Sequence, residues 1–392
     1  MNNTIKLAVA SALLAAASTA SAAGGIVAGD WTLDIGGNVN AYASNTSAKA
    51  TQGTAPTGGL AGQRDALGNK NAQGINTGLL PSWIGFSGKT RQNDLDVAFT
   101  ISFQPNVSDN TAAGDNLEPL NRQSFVTFGD ASWGSIKLGK DIGIFAQDAI
   151  LNDMTLLGVG GSSGRSGTET TLGGIGSGYI YAAWKGQIAY TSPNFNGFSF
   201  TAGITNPNQG FDAVNQDRFG LEGKVAYAFT GDVSGKVWAS AASYDVTTAL
   251  ADTYKANAFD IGATVSMAGF GLTGYYYDGK GAGTTVYGAN GYDAVTGNKR
   301  DSDGGYVQAT YTIPGVGTKI GAAYGVSNLD LAAGEVNPTL VAKNERITIG
   351  AYHPITKHLN LVAEYNNMQS EGQTKTNKTE SNAVSVGAIL FF

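Results

Sequence analysis

The chain has 392 residues, and its 30 acidic side chains outnumber its 24 Lys and Arg to give a formal net charge of −6. This acidic balance, without any basic run or basic face, argues against nucleic acid as a partner. Cysteine is absent, which excludes thiol chemistry and thiolate metal sites, and the 56 glycines with only 14% charged residues are unusual for a soluble enzyme.

Residues 1–22 have the organisation of a secretory signal peptide. Lys6 supplies a basic start, residues 7–17 form a short apolar stretch, and residues 20–22 fit a small-residue cleavage site. The apolar stretch is too short to cross a bilayer as a helix. We therefore predict cleavage after Ala22 and a single domain from residue 23 to 392, with a net charge one unit more negative because Lys6 is removed.

From residue 31 onward, apolar and polar side chains alternate with a period of two. In the first segment Trp31, Leu33 and Ile35 share one face, whereas Asp34 and Asn38 share the other. The same alternation recurs in residues 95–103, 219–229, 259–267, 320–326 and 359–365. After residue 22 the longest apolar run is residues 179–184, which is too short for a transmembrane helix. The pattern predicts strands whose apolar face contacts lipid and whose polar face lines a lumen.

Short and long connections alternate between these segments. The predicted tight turns, rich in Gly, Asn, Asp and Pro, are residues 91–94, 129–134, 193–197, 231–235, 268–271, 314–317 and 353–358. The predicted long loops are residues 45–78, 105–121, 141–185, 206–216, 245–256, 278–302, 327–342 and 369–381. We therefore predict an all-β fold, a sixteen-stranded antiparallel transmembrane β-barrel with short periplasmic turns and longer outer loops. A soluble β-sandwich also alternates, but the outward face is too consistently apolar over too many strands for it.

Aromatic residues cluster near the ends of the predicted strands. Trp31, Phe198 and Phe270 lie near short turns, whereas Tyr244 and Tyr277 lie near long loops. This placement predicts two aromatic girdles at the lipid interfaces.

The last predicted strand, residues 382–392, ends in Phe392, and it resembles the C-terminal strand of Gram-negative outer-membrane proteins. Residues 122–140 (RQSFVTFGDASWGSIKLGK) are similar to the fourth and fifth strands of porins from beta-proteobacteria, apart from departures at Phe128 and Trp133. The resemblance covers all of residues 23–392. It implies a general-diffusion porin, an assembly signal at Phe392 read by the outer-membrane assembly machinery, and a third loop from Asp141 onward that folds inward and narrows the pore.

Residues 145–158 within this loop have helical spacing, with Gly158 as a plausible end. Apolar residues of the helix would pack on the barrel wall and leave acidic side chains facing the lumen. The predicted constriction has acids on the loop and bases on the inward face of the wall: Asp141, Asp148 and Asp153, and Lys89, Arg122, Lys137, Lys224 and Lys236. Opposed charges across a narrow gap would orient polar solutes and set ion preference. The acidic loop and negative net charge favour cations slightly, although relatives in this family are often anion-selective.

Other functions find less support. The two histidines, His353 and His358, both lie in a predicted short turn, so no catalytic base and no enzyme are predicted. No cofactor or metal is predicted either, because the acidic loop residues that could offer calcium ligands lack EF-hand-like spacing: Asp109, Asp115, Glu118, Asp301 and Asp303. Two alternatives remain open. One is a substrate-specific channel of the same architecture, with Tyr179, Tyr181 and Trp184 as an aromatic track, and the other is a structural or adhesive barrel.

The resemblance also implies partners. They are a homotrimer of this chain, the lipid and lipopolysaccharide of the outer membrane, the assembly machinery during biogenesis, and the small hydrophilic solutes that pass.

Deleting Phe392 tests the assembly role. We expect normal synthesis but impaired barrel insertion, measured as loss of the heat-modifiable folded form in outer-membrane fractions. Insertion at the level of the unaltered chain would contradict the assignment of Phe392 as an assembly signal.

Overall fold

The computed structural model describes residues 25–105, 120–161, 170–206, 213–215, 218–248 and 252–392. The predicted cleavage site after Ala22 and the acidic loop residues Asp109, Asp115 and Glu118 lie outside these residues. No helix within the described ranges is long and apolar enough to cross a membrane.

Strands make up most of the described chain. The first eight barrel strands are β1 (Trp31–Ala48), β2 (Trp83–Gln92), β3 (Leu95–Gln104), β4 (Leu120–Asp130), β5 (Gly134–Ile142), β6 (Trp184–Thr191), β7 (Phe198–Thr205) and β8 (Gly220–Phe229). The next eight are β9 (Val233–Thr248), β10 (Thr253–Met267), β11 (Phe270–Lys280), β12 (Asp301–Thr312), β13 (Lys319–Leu329), β14 (Val341–Pro354), β15 (Leu359–Gly372) and β16 (Lys378–Phe391). Short strands outside this set are Ile26–Ala28, Asn71–Asn76, Ala213–Asn215, Tyr292–Asp293 and Asn298–Lys299.

Each barrel strand pairs antiparallel with its neighbours in sequence, and the first strand closes the ring by pairing with the last. In that final pairing Ala41 lies opposite Ala388, and Gly37 and Phe392 exchange two backbone hydrogen bonds of 3.0 and 3.1 Å. The predicted sixteen-stranded antiparallel barrel is therefore confirmed. Closure leaves no unpaired edge, as a sheet in lipid requires.

The outward and inward faces follow the predicted alternation. Val39 and Val386 are exposed on the outer face, whereas Asn38 and Asn40 are buried inside the barrel. The tight turns also form as predicted; between β2 and β3, Asn93 and Asp94 both adopt positive φ, as a two-residue hairpin turn requires.

Two of the connections predicted to be long loops are short, so these two predictions were wrong. Strands β9 and β10 continue to Thr248 and start again at Thr253, so only residues 249–252 connect them. Strands β15 and β16 likewise leave only residues 373–377 between them. In both hairpins the strand continues past the apolar band, where outward residues such as Asp245 and Lys255 are polar. The hydrophobic pattern therefore ends before the hydrogen-bonded ladder does.

The predicted outer girdle also needs correction at two positions. Tyr244 and Tyr277 are fully buried and point into the barrel, while Tyr276 occupies the exposed outward position beside Tyr277.

Between β5 and β6, the described residues 143–161 and 170–183 fold into the barrel, and they are called the inner loop here. It contains the predicted helical turn, as helix α1 (Gln147–Asn152) followed by a 3₁₀ turn, Met154–Leu157. The main hydrophobic core lies inside the barrel between this loop and the wall. Its members include Phe145, Ile150, Met154, Tyr179 and Ile180 from the loop, and Trp238, Tyr244, Tyr275, Tyr277 and Tyr306 from β9 to β12.

Two other connections cover the same side of the lumen. In residues 49–82, the backbone N–H of Leu60 donates to Ser370 Oγ on β15 at 2.9 Å. In residues 281–300, Tyr287 packs on Tyr244 with ring centroids 4.4 Å apart. The lumen beside β9 to β15 is thus filled by protein, and open space remains beside β1 to β5.

Candidate functional site: the lumen constriction

One buried carboxylate fixes the point at which the inner loop leaves the barrel wall. Glu222 on β8 accepts hydrogen bonds from the backbone N–H groups of Ile144 and Phe145, at 2.6 and 3.0 Å. Its other oxygen pairs with Lys185 on β6 at 2.7 Å and accepts from the Tyr244 hydroxyl. Because charge-assisted bonds to backbone N–H groups are strong, Glu222 turns the chain inward immediately after β5.

Helix α1 begins without a side-chain cap. Ala146, at its N-terminus, adopts a left-handed conformation with φ of 59°, and its N–H donates to Asp260 on β10 at 3.2 Å and to Ser240 at 3.3 Å. At the other end of the helix, the Tyr306 hydroxyl donates to the Ala149 carbonyl at 2.8 Å. The wall therefore satisfies backbone groups that a short helix leaves unpaired.

Asp148, in the first turn of the helix, points toward two lysines of the wall. Its carboxylate lies 3.0 Å from Lys224 Nζ on β8 and also contacts Lys236 Nζ on β9. Burial favours a raised pKa for Asp148, but the charges of Lys224 and then Lys236 outweigh it and hold this pKa below its ordinary value. Asp148 is therefore ionised at neutral pH and shared by two cations.

The loop sequence predicted that Asp153 faces the lumen, but in the structure it is buried between the inner loop and the wall. Its carboxylate accepts from the backbone N–H groups of Thr155 and Gly174, both at 2.9 Å, and from the Tyr179 hydroxyl at 2.8 Å. Arg346 on β14 lies 3.5 Å away, and both side chains are almost fully buried. Asp153 thus holds two parts of the inner loop together against the far wall and does not face the open space.

A third wall carboxylate holds the end of the 3₁₀ turn. Glu364 on β15 accepts from the N–H groups of Val159 and Gly160 at 3.1 and 2.8 Å, and from the Tyr352 hydroxyl at 2.7 Å. Gly158 lies so close that a Cβ there would be 2.0 Å from a Glu364 oxygen. Glycine is therefore needed at this position for the close approach.

Arg122 owes its position to a β-bulge. Ser102 pairs with Gln123 and Phe103 pairs with Asn121, so Arg122 is the extra residue on β4. Its guanidinium lies between two indole rings, 5.1 Å from the centroid of Trp83 and 4.1 Å from that of Trp184. This buried cation–π stack replaces solvent contact, so Arg122 is not an open charge of the lumen.

Arg122 is nevertheless connected to the constriction. Its Nη1 donates to Gln123 Oε1 at 3.0 Å, and Gln123 Nε2 donates to Asp141 Oδ1 at 2.9 Å. The other Asp141 oxygen accepts from Lys137. A chain of four polar side chains thus fixes the Lys137–Asp141 pair on the wall.

The open space between helix α1 and strands β1 to β5 is called the aperture here, and it has a volume of about 370 Å³. Its charged lining consists of Asp34, Lys137, Asp141, Asp148, Lys224 and Lys236. Of the predicted site residues, the structure brings together Asp141, Asp148, Lys137, Lys224 and Lys236, and it places Asp153, Arg122 and Lys89 elsewhere.

Lys89 lines a second, larger space of about 850 Å³ at the short-turn end of the same wall. Other charged residues of this space are Asp30, Arg91, Asp96 and Asp130, with Arg91 within 2.9 Å of both Asp96 and Asp130. Strands β2 to β5 line both spaces, so the two lie one above the other along one side of the barrel.

Within the ion pairs of the aperture, the acids are more deeply buried than the bases. The Asp141 side chain is 6% exposed against 30% for Lys137, and Asp148 is 2% exposed against 15% for Lys224 and 21% for Lys236. Ammonium groups therefore form most of the charged surface that a solute meets, although the formal charges of the lining balance.

Sequence reasoning did not identify the side chains that hold the inner loop, namely Glu222, Asp260, Arg346 and Glu364. The sequence did contain a signal for two of them, because Glu222 and Glu364 are ionisable residues at inward positions of predicted strands. Among the described residues, no group of three His, Cys, Asp or Glu side chains could hold a metal ion. Asp301 pairs with Lys280 at 3.3 Å and Asp303 accepts from Asn328 at 3.1 Å, both on the outer face.

The Arg346–Asp153 pair can be tested by Arg346→Met. The substitution leaves Asp153 buried without its cation, so we expect about 3–5 kcal/mol less stability of the folded barrel, measured by denaturant unfolding in detergent. Lys343→Met on the outer face of the same strand is the matched control, because its half-exposed pair with Glu345 should contribute less than about 1 kcal/mol. Equal losses from the two variants would contradict the anchoring role.

Comparison with known proteins supports the architecture. Among solved structures, the outer membrane channel DcaP of Acinetobacter baumannii aligns with a TM-score of 0.71 at 15% identity, over 94% of this chain and 100% of that one. An anion-selective porin from Comamonas acidovorans aligns with a TM-score of 0.65 at 18% identity, over 92% and 100%. The trimer form of OmpT from Vibrio cholerae aligns with a TM-score of 0.57 at 14% identity, over 92% and 99%. At these identities the likeness concerns the fold.

The family assignment comes from the sequence itself. No curated protein sequence matches the chain, but the family pattern described as Gram-negative porin matches residues 8–373. Family and fold are those of channels and not of enzymes. The chain therefore belongs to the Gram-negative porin family and forms an outer-membrane channel for passive diffusion.

Proposed function

We propose that the chain forms a general-diffusion pore for small hydrophilic solutes, with a modest preference for anions set at the aperture. The observation that carries the proposal is the unequal burial of the aperture charges. Three ammonium groups reach the open space, whereas Asp141 and Asp148 lie behind them. Asp34 is the half-buried acid of the lining and offsets this surface only in part.

This preference has the opposite sign to the slight cation preference expected from the sequence. The expectation from the sequence rested on the number of charges, and such a number gives a buried charge the same weight as an exposed one. A solute in the pore interacts most with the groups that it can approach, because a nearby charge in a narrow, partly dehydrated space is screened least. The anion selectivity of the Comamonas porin with a similar fold is consistent with the proposal.

The alternative of a substrate-specific channel has less support. Tyr179 is fully buried in the inner-loop core, and Trp184 stacks on Arg122. Tyr181 is also packed against the core. These three side chains are therefore not arranged as an exposed aromatic track along the open space.

Planar-bilayer recording tests the pore. We expect a conductance that rises with salt without saturation and a reversal potential in a KCl gradient that indicates chloride preference. Blocking of the current by a small solute would instead indicate a specific channel, and absence of conductance would indicate a structural barrel. A reversal potential of cationic sign would contradict the assignment at the aperture.

Two variants locate the selectivity. Asp148→Asn should increase chloride preference, since it frees Lys224 and Lys236 from their shared acid. The double change of Lys224 and Lys236 to Gln should remove the preference or reverse it. Lys343→Gln, on the outer face, is the control and should leave the reversal potential unchanged.

We also propose that the barrel assembles as a homotrimer. Strands β2 to β8 have 8–11 residues, whereas β9, β10 and β14 to β16 have 14–16. A strand that crosses a membrane needs about 9–11 residues, so the wall from β2 to β8 rises little above the hydrocarbon layer. A neighbouring barrel on this low side would cover its rim, and OmpT with a similar fold is recorded in a trimer form.

Gel migration tests the trimer. In mild detergent the unboiled protein should migrate at about three times the mass of the boiled chain. Migration of the unboiled protein as a folded monomer would count against trimer assembly while leaving the pore assignment intact.

A further inference from the structure

The Asp148 carboxylate is held differently from two buried acids of the barrel wall. Glu222 and Glu364 each accept hydrogen bonds from backbone N–H groups of the inner loop. Asp148 accepts none of this kind: among the described residues, its carboxylate contacts only the ammonium groups of Lys224 and Lys236. It therefore satisfies no backbone group of the loop, and its contacts are those between an anion and two cations.

One oxygen of this carboxylate has no hydrogen bond. Asp148 Oδ1 accepts from Lys236 Nζ, whereas Oδ2 lies 3.0 Å from Lys224 Nζ without accepting a hydrogen bond from any part of the chain that the structure describes. Lys224 Nζ donates to Gln147 Oε1 instead, at 2.8 Å. A buried carboxylate that serves as a structural anchor normally has both oxygens hydrogen-bonded. Asp148 thus resembles a bound solute anion more than an anchor.

The two lysines are fixed on neighbouring strands of the wall. Lys224 lies on β8 opposite Ser240, and Lys236 lies on β9 opposite Ala228. Their ammonium groups meet at the same carboxylate. Two like charges this close repel each other unless an anion lies beside both of them. The pair of lysines therefore forms a site for an anion of carboxylate size, whether or not that anion belongs to the chain.

This site opens on the aperture. Lys224 and Lys236 both line the open space, and their side chains are 15% and 21% exposed, whereas that of Asp148 is 2% exposed. A solute anion can reach the two ammonium groups, but the place between them is already occupied. Conduction requires that a site attract an ion and still hold it weakly enough to release it. Because each ammonium group already has an anionic partner, its hold on a passing anion is weak.

From this arrangement we infer that Asp148 is a resident counter-anion of the pore. It occupies an oxyanion site formed by Lys224 and Lys236, so that small anions are attracted to the aperture without being held there. The inference rests on the proposed anion preference and adds to it a mechanism of release. The ligand class that fits the site is a small carboxylate, because the chain itself places a carboxylate there.

Emptying the site tests the inference. Asp148→Ala removes the carboxylate and leaves its space, whereas Asp148→Asn fills that space with an uncharged group of similar shape. Formate is the probe, because it is a carboxylate small enough to take the vacated place. The measurement is single-channel conductance in planar bilayers at about 0.1 M KCl, where the Debye length is about 10 Å. Formate should reduce the conductance of Asp148→Ala at a concentration about tenfold or more below that needed for the unaltered chain or for Asp148→Asn.

A double variant tests the need for both lysines. Asp148→Ala combined with Lys236→Gln leaves one ammonium group, so its sensitivity to formate should return to that of the unaltered chain. The inference is overturned if formate acts equally on the Ala and Asn variants, since it would then respond to the freed charge and not to a vacated site. It is also overturned if formate acts on neither variant. A cationic reversal potential of the unaltered chain would refute the proposed anion preference, whereas the comparison between the variants would still report whether the site exists.

Discussion

The structure depends on hydrogen bonds between buried wall carboxylates and the backbone of the inner loop. Glu222, Asp260 and Glu364 accept N–H groups from three successive points of the inner loop. A segment that folds into a barrel brings backbone groups away from bulk water, and each unsatisfied group would be costly. An inward carboxylate satisfies two donors at once and is itself stabilised by a lysine or a tyrosine, so the loop has one defined path.

That path divides the lumen. The loop packs on the tyrosine-rich wall from β9 to β12 and gives the barrel a hydrophobic core, while the space beside β1 to β5 stays open. A sixteen-stranded barrel is too wide for its own inward side chains to fill, so the loop both supplies the core and sets the size of the pore. Constriction and stability thus come from the same segment.

The effect of the aperture charges on a passing solute depends on how deeply each charged side chain is buried. Asp141 and Asp148 are covered by longer lysine side chains, whose ammonium groups extend toward the open space. Arg122, by contrast, does not reach the open space, because two tryptophan rings enclose it. It is connected to the aperture only through Gln123 and Asp141. The formal charge of a residue and its effect on a solute are therefore different quantities.

The sequence by itself determined the barrel, because the period of two between apolar and polar side chains is a local property of each strand. It gave the number of strands, the tight turns and, through resemblance, the inward third loop. It also identified five of the residues that meet at the aperture. Only the tertiary structure decided the partners of Asp153, Arg122 and Glu222. Asp153 meets Arg346, which is 193 positions away, and Arg122 turns inward because of a bulge. These contacts depend on the path of a non-repeating loop and on a single register shift, and neither leaves a periodic signal in the sequence.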